Sequence, residues 1–466
     1  MFDTIASLIP ADTDYPARTQ RLSVLKRVLD GTFYDVLPYA FQDERTASGD
    51  YIPLRQRRPS VRYPLAKIVV DDSVSLLFGE GHFPTIDTPD IDVRATIADI
   101  AAETCLNGVM QEAALRGALG SVAILLRVLN GRIFLRVLET LTLTPSWDPQ
   151  EPDRLAFVSE RYKVAGRVLA GMGYEIDDPE TQYWFMRCWD PQQEIWFQPW
   201  PVTGDQQPQI DPQRTTNHGL GFVPIVWIRN LPGGPDGPEG IDGACTFRPA
   251  IETSIEIDYQ LSQAGRGLKY SSDPTLLIRE PAGDSRELVR GGGNALVVSE
   301  HGDAHLLEIN GTAAAAVIEY VRSLREMALE GVHGNRASAD RLSVAQSGRA
   351  LEMMNQGLLL LADNLRISYG AAILDLARMI LHASRIYRLR VNGRPIEPID
   401  PAARLSLVWP RWFPLTAEDR AADAQTLATL TAAKLLSPET ALRSIADTYA
   451  VTDIAAERAS IEMERQ

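Results

Sequence analysis

The amino-acid sequence predicts an α+β protein that contains more than one folding unit. Its 466 residues are too many for a single small module, and 45% hydrophobic with 23% charged residues is typical of globular chains. From the N-terminus to about Gly243, helix and strand signals occur together, and a proline- and glycine-rich loop marks a boundary there. Beyond that loop long helical patterns dominate, with small β segments between them.

The charge balance is acidic. The chain has 46 basic and 61 acidic residues, a formal net charge of −15 and a sequence pI near 5.0. A protein that binds polyanions over its whole surface would carry the opposite sign. We therefore expect any nucleic-acid contact to be local, weak or dictated by geometry.

Cysteine usage and hydropathy indicate the compartment. Cys105, Cys188 and Cys245 are far apart and odd in number, so they build neither a disulfide framework nor a CxxC metal cluster. The N-terminus lacks a basic segment followed by a long apolar core, and no uninterrupted apolar stretch approaches the ~20 residues that span a bilayer. We expect a soluble intracellular protein in a reducing compartment, without membrane contact.

Helices come first in the region before the boundary, and strands follow them. Apolar spacing predicts helices over Arg18–Leu29, Tyr63–Phe78 and Ala95–Leu119. Asn130-Gly131 is a favoured hairpin turn between two β-rich runs, so a sheet begins there, and aromatic runs farther along continue it. The predicted strand segments are Ser121–Leu129, Arg132–Leu138, Tyr183–Trp189, Glu194–Trp200 and Phe222–Ile228.

After the boundary the pattern predicts a helix, a small β segment and a second helix. The first helix covers Thr246–Lys269, with Pro249 in its first turn, where proline is tolerated. The second covers Thr312–Gly331. Between them the sequence predicts, in order, a strand at Thr275–Arg279, a turn at Gly291–Gly293, a strand at Ala295–Val298, a turn at Glu300–Ala304 and a strand at His305–Ile309.

A very long helical pattern covers Ser347–Tyr387. Large apolar residues recur in it at alternating spacings of three and four, which is typical of a helix packed against another helix. These residues are Leu351, Met354, Leu358, Leu361 and Leu365. Gly357 and Gly370 lie inside the pattern and predict a bend.

The C-terminal part combines one β segment with helices. Asn392-Gly393 predicts a hairpin within Arg388–Trp409, where prolines limit the strands to edge pairing. The chain is predicted to be helical from Thr416 onward. Ser437 followed by Pro438 indicates a helix start, because serine caps the first turn and proline suits its first position.

No sequence motif indicates catalysis or cofactor binding. The sequence has no GxxxxGK[ST] P-loop and no GxGxxG after a strand. His301 and His305 have zincin-like spacing, but a zincin helix needs glutamate where this chain has Gly302, so a hairpin tip is favoured over a metal site. Asp71 and Asp72 point about 100° apart on a helix and form a solvated face. We expect no catalytic residue, no metal and no cofactor.

Short motifs follow one another along the chain in a distinctive order. Ser347-Gly348-Arg349-Ala350-Leu351 enters the long helix, and Leu436–Leu442 enters a C-terminal helix. Upstream, Tyr63–Val69 followed by Leu77–Gly79 indicates an early helix that ends in a glycine turn. Ala118–Val122, Arg132–Leu138 and Pro145–Asp148 follow the order Gly-Ser, strand, Pro-x-x-Asp, and Phe222–Val226 is an apolar strand before the glycine-rich loop. Together they resemble the portal proteins of tailed bacteriophages, most closely the siphophage-type, gene-product-six-like branch. The resemblance covers nearly the whole chain. Over 162–220 the sequence departs from the family pattern.

The resemblance implies a portal fold assembled as a ring, typically of twelve copies. That fold has a mixed α/β wing, a two-helix stem, a small β clip insert, a long bent wing helix and an α-helical crown. Carried onto this sequence, the parts are the wing at 1–244, stem helix 1 at 245–270, the clip at 271–311, stem helix 2 at 312–332, the tunnel loop at 333–346, the bent wing helix at 347–387, the wing β segment at 388–412 and the crown at 413–466.

The resemblance also implies a function without catalysis. The ring would form the channel at one capsid vertex for genome packaging and ejection, docking the terminase motor and then the head-to-tail adaptor. ATP hydrolysis belongs to the terminase in this family, in agreement with the missing P-loop. The implied partners are further copies of the chain, double-stranded DNA without sequence specificity, the terminase large subunit, the adaptor, and the major capsid and scaffolding proteins. The implied location is the capsid portal vertex of the virion, with the host cytoplasm during assembly.

Three groups of residues are expected to carry this function. Residues of the tunnel loop would face DNA: Asn335, Arg336, Ser338, Asp340, Arg341, Ser343 and Gln346. Residues of the clip would bind the adaptor: Arg279, Arg286, Glu287, Arg290, His301 and His305. The apolar seam of the long helix would contact a neighbouring subunit: Leu351, Met354, Leu358, Leu361 and Leu365.

Two other classes of function stay open from the residues. A soluble hydrolase would use carboxylates of the first region in a cleft and act as a small oligomer. A scaffold or adaptor protein would share the absence of catalysis but would need no ring. The acidic charge suits a DNA channel, because every basic contact to phosphate adds affinity and slows sliding. Electron micrographs of purified protein separate these classes, since only a portal gives rings with a central hole.

Overall fold

The computed structural model describes residues 1–204, 206–235, 240–272, 275–281, 298–307, 312–334, 355–413, 417–446, 449, 451 and 454–464. Two compact units are distinguished within the chain. The main unit consists of Met1–Asn335 and Leu360–Pro410, and the C-terminal unit of Arg336–Leu359 and Arg411–Gln466. Helix and strand occur together, which confirms the α+β class.

The described helices of 1–386 are stabilised by buried apolar sides and by local caps. Asp90, for example, begins α4 by accepting hydrogen bonds from the backbone N–H groups of Asp92 and Val93, at 2.9 and 3.2 Å. The helices are α1 (Phe2–Ala6), α2 (Ala17–Leu29), α3 (Leu65–Phe78), α4 (Ile91–Glu103), α5 (Leu106–Gly117), α6 (Gly166–Gly171), α7 (Ile251–Ser272), α8 (Thr312–Gly331) and α9 (Gln356–Ile386).

The predicted helix Ala95–Leu119 is wrong as one element. Cys105 adopts φ +50° and separates α4 from α5. A left-handed residue interrupts the hydrogen-bond ladder of a helix, and cysteine gives no sequence signal for that conformation. The predicted helix Thr246–Lys269 also begins later than expected. Pro249 lies in a 3₁₀ turn, Arg248–Ala250, and α7 begins after it at Ile251.

The strands form several sheets. They are β1 (Tyr39–Ala40), β2 (Arg57–Arg58), β3 (Thr85–Asp87), β4 (Ser121–Leu129), β5 (Arg132–Glu139), β6 (Leu143–Trp147), β7 (Leu155–Ala165), β8 (Gln182–Trp189), β9 (Gln193–Gln198), β10 (Trp200–Pro201), β11 (Gln209–Ile210), β12 (Thr216–Asn217), β13 (Ile225–Arg229), β14 (Thr275–Pro281), β15 (Val298–Leu307), β16 (Arg390–Val391), β17 (Arg394–Pro395) and β18 (Ser406–Val408). β3 pairs with β18 and β16 with β17, both antiparallel, whereas β1 and β2 are parallel.

β4 is the central strand of a three-stranded sheet with the order β13–β4–β5, which we call the smaller sheet to distinguish it from the seven-stranded one. Asn130 and Gly131 have φ +54° and +78°, so the predicted hairpin turn between β4 and β5 is confirmed. β13 pairs with the other edge of β4, antiparallel, with Trp227 opposite Ala123. The fully buried centre of β4 makes this sheet part of the core.

The larger sheet has the order β11–β9–β8–β7–β6, with β10 paired to β8 and β12 to β9. Its strands do not continue the smaller sheet, so the prediction of one sheet is wrong. β7, an interior strand, was not predicted, because polar residues interrupt its sequence and most of its side chains are only partly buried. The two sheets share an apolar core in which Leu125 and Ile225 of one meet Val158 and Trp189 of the other.

From Leu360 onward, α9 is the long core helix of the main unit. It passes Gly370 without interruption, and a Cβ at that position would lie 3.2 and 3.3 Å from the side chains of Leu407 and Trp409, so close packing accounts for this glycine. α9 is long and apolar enough, by length and composition, to cross a membrane, with a mean hydropathy of 1.3. Burial of residues such as Tyr369 and Ile373 explains that apolar content within the fold.

The C-terminal unit carries α10 (Ala417–Ala432), α11 (Pro438–Ile445) and α12 (Ile454–Glu464). The predicted helix start is confirmed, since the Ser437 Oγ accepts a 3.1 Å hydrogen bond from the Thr440 N–H. Arg458 on α12 reaches Glu439 on α11 at 3.3 Å and joins the two helices.

Candidate functional site

Two helices joined by a β ribbon organise the candidate site. α7 and α8 pack against each other and against α3, through a cluster that includes Ile257, Leu324, Leu329, Leu65 and Val69. The apolar residues recur at helical spacing on one side of each helix, which is why both helices bury the same side. This arrangement leaves the outer side of α8 exposed in the isolated chain.

A buried carboxylate anchors the N-terminal half of α7. The Asp258 side chain is only 3% exposed, and it accepts hydrogen bonds from the Tyr34 hydroxyl at 2.7 Å and from the Tyr63 N–H at 2.6 Å. Burial raises the pKa of Asp258 from its usual 3.8 to about 6, although these two hydrogen bonds and the nearby charge of Arg62 oppose the increase. Asp258 therefore links α7 to two separate N-terminal segments through a buried carboxyl.

Further polar contacts hold α7 against the N-terminal segments. The chain's amino group and the Phe2 N–H both donate to the Glu252 carboxylate, at about 3.1 Å. Deeper in the fold, the Tyr259 hydroxyl donates to the Arg57 carbonyl at 2.8 Å. These contacts, with those of Asp258, hold residues 252–259 of α7 against the N-terminal segments.

The loop that leads into α7 is fixed by a buried ion pair. Arg18 donates to both carboxylate oxygens of Asp242, at 2.8 and 2.7 Å, and Ser121 donates to the same carboxylate at 2.5 Å. Burial alone would raise the pKa of Asp242, but the charge and hydrogen bonds of Arg18 outweigh it and lower that pKa. Nearby, Asn230 donates to Thr246 and accepts from the Tyr369 hydroxyl, so α9 is tied to the same loop.

A chain of charges crosses the two sheets away from this loop. Arg127 on β4 donates to Glu194 on β9, at 3.1 Å for its Nε. Arg187 on β8 lies 3.7 Å from Glu194 and also pairs with Glu160 on β7. The rings of Trp189 and Trp196 flank the Arg187 guanidinium at 4.7 and 5.3 Å. We call the four charged residues, Arg127, Glu194, Arg187 and Glu160, the charge ladder.

A family model described as phage portal protein, SPP1 Gp6-like, matches residues 10–465 of the chain. The chain belongs to this family. No curated protein matches it. Portal proteins are structural rather than enzymatic, and membership implies a place at the capsid vertex in an oligomeric ring with packaging partners. The resemblance found in the short motifs is thereby confirmed.

In this portal protein, β14 and β15 form an antiparallel ribbon between α7 and α8. The predicted turn at Glu300–Ala304 is wrong, because these residues belong to β15, where Asp303 lies opposite Arg279. Pairing with β14 overrides the turn preference of glycine and aspartate, so the histidine pair is not at a hairpin tip. Among the described residues no group of three His, Cys, Asp or Glu side chains could hold a metal ion.

The structure describes the predicted clip residues only in part. Arg279 and His301 are exposed on the β14–β15 ribbon, and His305 lies opposite Leu277 in the backbone register. Arg286, Glu287 and Arg290 lie outside the described residues, as do the predicted turn at Gly291–Gly293 and the strand at Ala295–Val298 up to its last residue. The ribbon therefore brings together three of the six predicted residues.

The tunnel-loop residues all lie outside the described part of the portal chain. They are Asn335, Arg336, Ser338, Asp340, Arg341, Ser343 and Gln346. The structure describes how the segment before them begins: α8 ends at Gly331, and His333 adopts φ +54°. The role of the seven residues stays a prediction.

The apolar seam of α9 requires a correction. Leu358, Leu361 and Leu365 are 6%, 4% and 2% exposed in the isolated chain, so the subunit itself covers them. They have no free surface for a neighbouring subunit, and their predicted contact with one is revised to packing within the chain. Leu351 and Met354 lie outside the described residues.

The structure adds two features that sequence reasoning missed. Asp258 lies among apolar residues on α7, and its sequence signal is an acidic residue on the buried side of a helical pattern. The second feature is a run of five arginines without any acidic residue between Asp375 and Glu397, in a chain of net charge −15. That run could have been found by scanning local charge instead of total charge.

Proposed function

We propose that this portal protein assembles as a dodecameric ring whose channel carries double-stranded DNA, without sequence specificity, during packaging and ejection. The family match over residues 10–465 carries the proposal. The α7–α8 pair supports it, because two helices joined by a β ribbon correspond to the stem and clip that the family resemblance implies. The subunits would assemble in the host cytoplasm and remain in the virion.

The parts of the subunit are assigned on the same basis. We place the wing at 1–244 with 388–412, the stem helices at 245–270 and 312–332, and the clip at 271–311. The tunnel loop is placed at 333–346, the long wing helix at 347–387 and the crown at 413–466. The terminase large subunit and later the head-to-tail adaptor would dock on the clip, and the major capsid and scaffolding proteins would be further partners.

Exposed apolar side chains on α8 support assembly through the stem. Tyr320 and Met327 are 47% and 57% exposed, and they lie seven residues apart, on one side of the helix. That side is different from the one that packs on α7, so the isolated subunit leaves it uncovered. In a ring of identical subunits such a patch is buried against a different surface of the next copy.

Electron micrographs of negatively stained, purified protein test the ring. We expect rings with a central hole, whereas monomers or dimers at all concentrations would contradict the proposal. Replacing both Tyr320 and Met327 by aspartate is expected to abolish the rings while circular dichroism stays unchanged. Ile91→Asp/Ile210→Asp is the matched control, because these residues are 75% and 55% exposed elsewhere in the main unit and the double change adds the same charge. Rings formed by the double variant would refute the assignment of this surface.

A deletion tests the clip. Removing Arg279–Leu307 and joining the ends by a short linker is expected to leave the remaining fold intact, because the ribbon is too short to contribute a core of its own. Binding to the purified terminase large subunit and to the adaptor should be lost in pull-down assays. Recovery of either partner at wild-type level would show that it docks elsewhere, without affecting the family assignment.

A further inference from the structure

A cluster of exposed arginines lies where α9 ends and the β16–β17 hairpin begins. Arg385, Arg388, Arg390 and Arg394 are all exposed, and none has a carboxylate within 4 Å among the residues that the structure describes. We call these four residues the arginine patch. Other arginines of the main unit, such as Arg18 and Arg132, are paired with carboxylates, whereas these four lie together within 385–394 and concentrate positive charge locally in an acidic chain.

The backbone beneath the arginine patch is firmly held. Leu389 and Val391 are buried in the core, so Arg388 and Arg390, which alternate with them, point away from it. The Arg390 N–H donates to the Gly131 carbonyl at 2.8 Å, which fastens the patch to the β4–β5 turn. The arginine side chains therefore project from a rigid base, which lowers the entropy cost of binding.

The carboxylate of Glu103, which contacts the β16–β17 turn, is already engaged. It accepts from the Arg132 Nε at 3.2 Å and from the Asn392 N–H at 2.8 Å. Its charge is thus balanced by Arg132, which does not belong to the arginine patch. The patch keeps four positive charges for a partner from outside the chain.

A cavity with a largely apolar wall reaches Tyr387, the residue before Arg388 of the arginine patch. It has a volume of about 290 Å³, and its apolar wall includes Leu126, Val128, Trp196, Leu220 and Tyr387. The paired side chains Arg127 and Glu194 of the charge ladder also line it, together with Arg214, Thr216 and His218. Tyr387 connects the two features, because it lines the cavity and directly precedes Arg388. The volume lies at the lower limit of the roughly 300–1,000 Å³ typical of pockets for whole ligands, so it suits one large side chain.

We propose that the arginine patch and this cavity form a docking site for an acidic polypeptide segment that inserts one large apolar side chain. Arginine binds carboxylates in a bidentate manner, and all four cations of the patch are arginine. Arginine and aromatic residues are enriched in protein interfaces, whereas lysine is depleted. Duplex DNA would satisfy the charge but offers phosphates and sugars instead of an apolar group to fill the cavity.

Selection from a random dodecapeptide library tests the site. Full-length protein is the bait, and the Arg388→Glu/Arg390→Glu variant is used for subtraction. We expect enriched peptides that combine several acidic residues with one aromatic or large aliphatic residue. A synthetic peptide of the consensus should bind the double variant at least about tenfold more weakly in fluorescence anisotropy. Replacing its apolar residue by serine should weaken binding comparably.

A matched variant controls for net charge. Arg45 and Arg55 are exposed elsewhere in the main unit, and changing both to glutamate alters the charge by the same amount. This control should bind the peptide like the wild type. Equal binding to the Arg388→Glu/Arg390→Glu variant, or enriched peptides without acidic residues, would overturn the proposal.

Two further outcomes would also overturn it by identifying another occupant. Displacement of the peptide by a short DNA duplex, with the same loss in the patch variant, would indicate a nucleic-acid surface. Loss of rings in the patch variant, together with absence of peptide binding to the wild type, would indicate a contact between copies of the chain. Rings that form normally in the variant keep this test independent of the proposed channel.

Discussion

The buried carboxyl of Asp258, in the N-terminal half of α7, predicts an unusual pH dependence of the free energy of unfolding. Asp258 is nearly inaccessible, and its pKa is raised from 3.8 to about 6. The folded chain therefore binds the proton more tightly than the unfolded chain does. A shift of this size corresponds to about 3 kcal/mol. This stability is fully present below about pH 3.8 and is lost as the pH rises through about 6.

Asp258→Asn isolates this effect. The amide oxygen can accept the Tyr63 N–H, and the amide nitrogen can donate to the Tyr34 hydroxyl oxygen, so both contacts are retained without the charge. Relative to the wild type, the variant should be more stable near neutral pH, and the advantage should vanish in acid. The difference between the two proteins should change by about 3 kcal/mol across the titration.

Thermal unfolding of both proteins, measured across the pH range in parallel, provides the comparison. Using the difference between two proteins cancels the titration of all other carboxyl groups. Tyr34→Phe is the companion variant, because it removes a hydrogen bond that favours ionised Asp258 and should destabilise most at neutral pH. A difference between wild type and Asp258→Asn that does not vary with pH would refute the reasoning.

Three other predictions concern different parts of the chain. Asp242→Asn should destabilise the fold by about 3–5 kcal/mol at neutral pH, because it breaks the buried pair with Arg18. Since the pKa of Asp242 is lowered in the folded chain, the loss of stability measured by thermal unfolding should shrink only as the pH falls below the usual 3.8. An equal loss of stability in acid would contradict this prediction. Ser437→Ala should destabilise α11 by about 1 kcal/mol, detectable as faster hydrogen exchange confined to that helix, and unchanged exchange would count against the cap. Replacing Arg336 and Arg341 by glutamate should give assembled particles that underfill or leak DNA, whereas full and stable particles would show that these arginines do not face the DNA.

The sequence predicts best those elements that depend on local chemistry. Asn130-Gly131 and Asn392-Gly393 adopt the positive φ values that two-residue hairpin turns require, and both turns follow from the dipeptides alone. α8 has the predicted limits Thr312–Gly331, because its apolar spacing is regular and flanking segments are polar or glycine-rich. The family, too, could be inferred, since its short motifs occur in order.

What could not be predicted depends on contacts between distant segments. Strand propensity does not specify the partner of a strand, so the division into two sheets and the place of β7 were missed. The sequence around Gly302 favours a turn locally, but pairing with β14 keeps it extended. The burial of the α9 leucines is likewise a property of the folded chain, and their spacing alone did not distinguish a neighbour within the subunit from one outside it.

The charge ladder across the two sheets has a mechanical consequence. A single apolar contact has no preferred direction, so an atom that is displaced can gain a similar dispersion attraction from new neighbours. The charge-assisted hydrogen bond from Arg127 on β4 to Glu194 on β9 joins the two sheets, and it weakens as soon as its geometry is displaced, because such bonds are directional. Within the larger sheet, Arg187 pairs with Glu160 and lies 3.7 Å from Glu194, so it helps to hold the Glu194 carboxylate in place. The ladder therefore resists shear between the sheets more than apolar packing alone would. We therefore expect the contact between β4 and β9 to be preserved when the subunit bends under load.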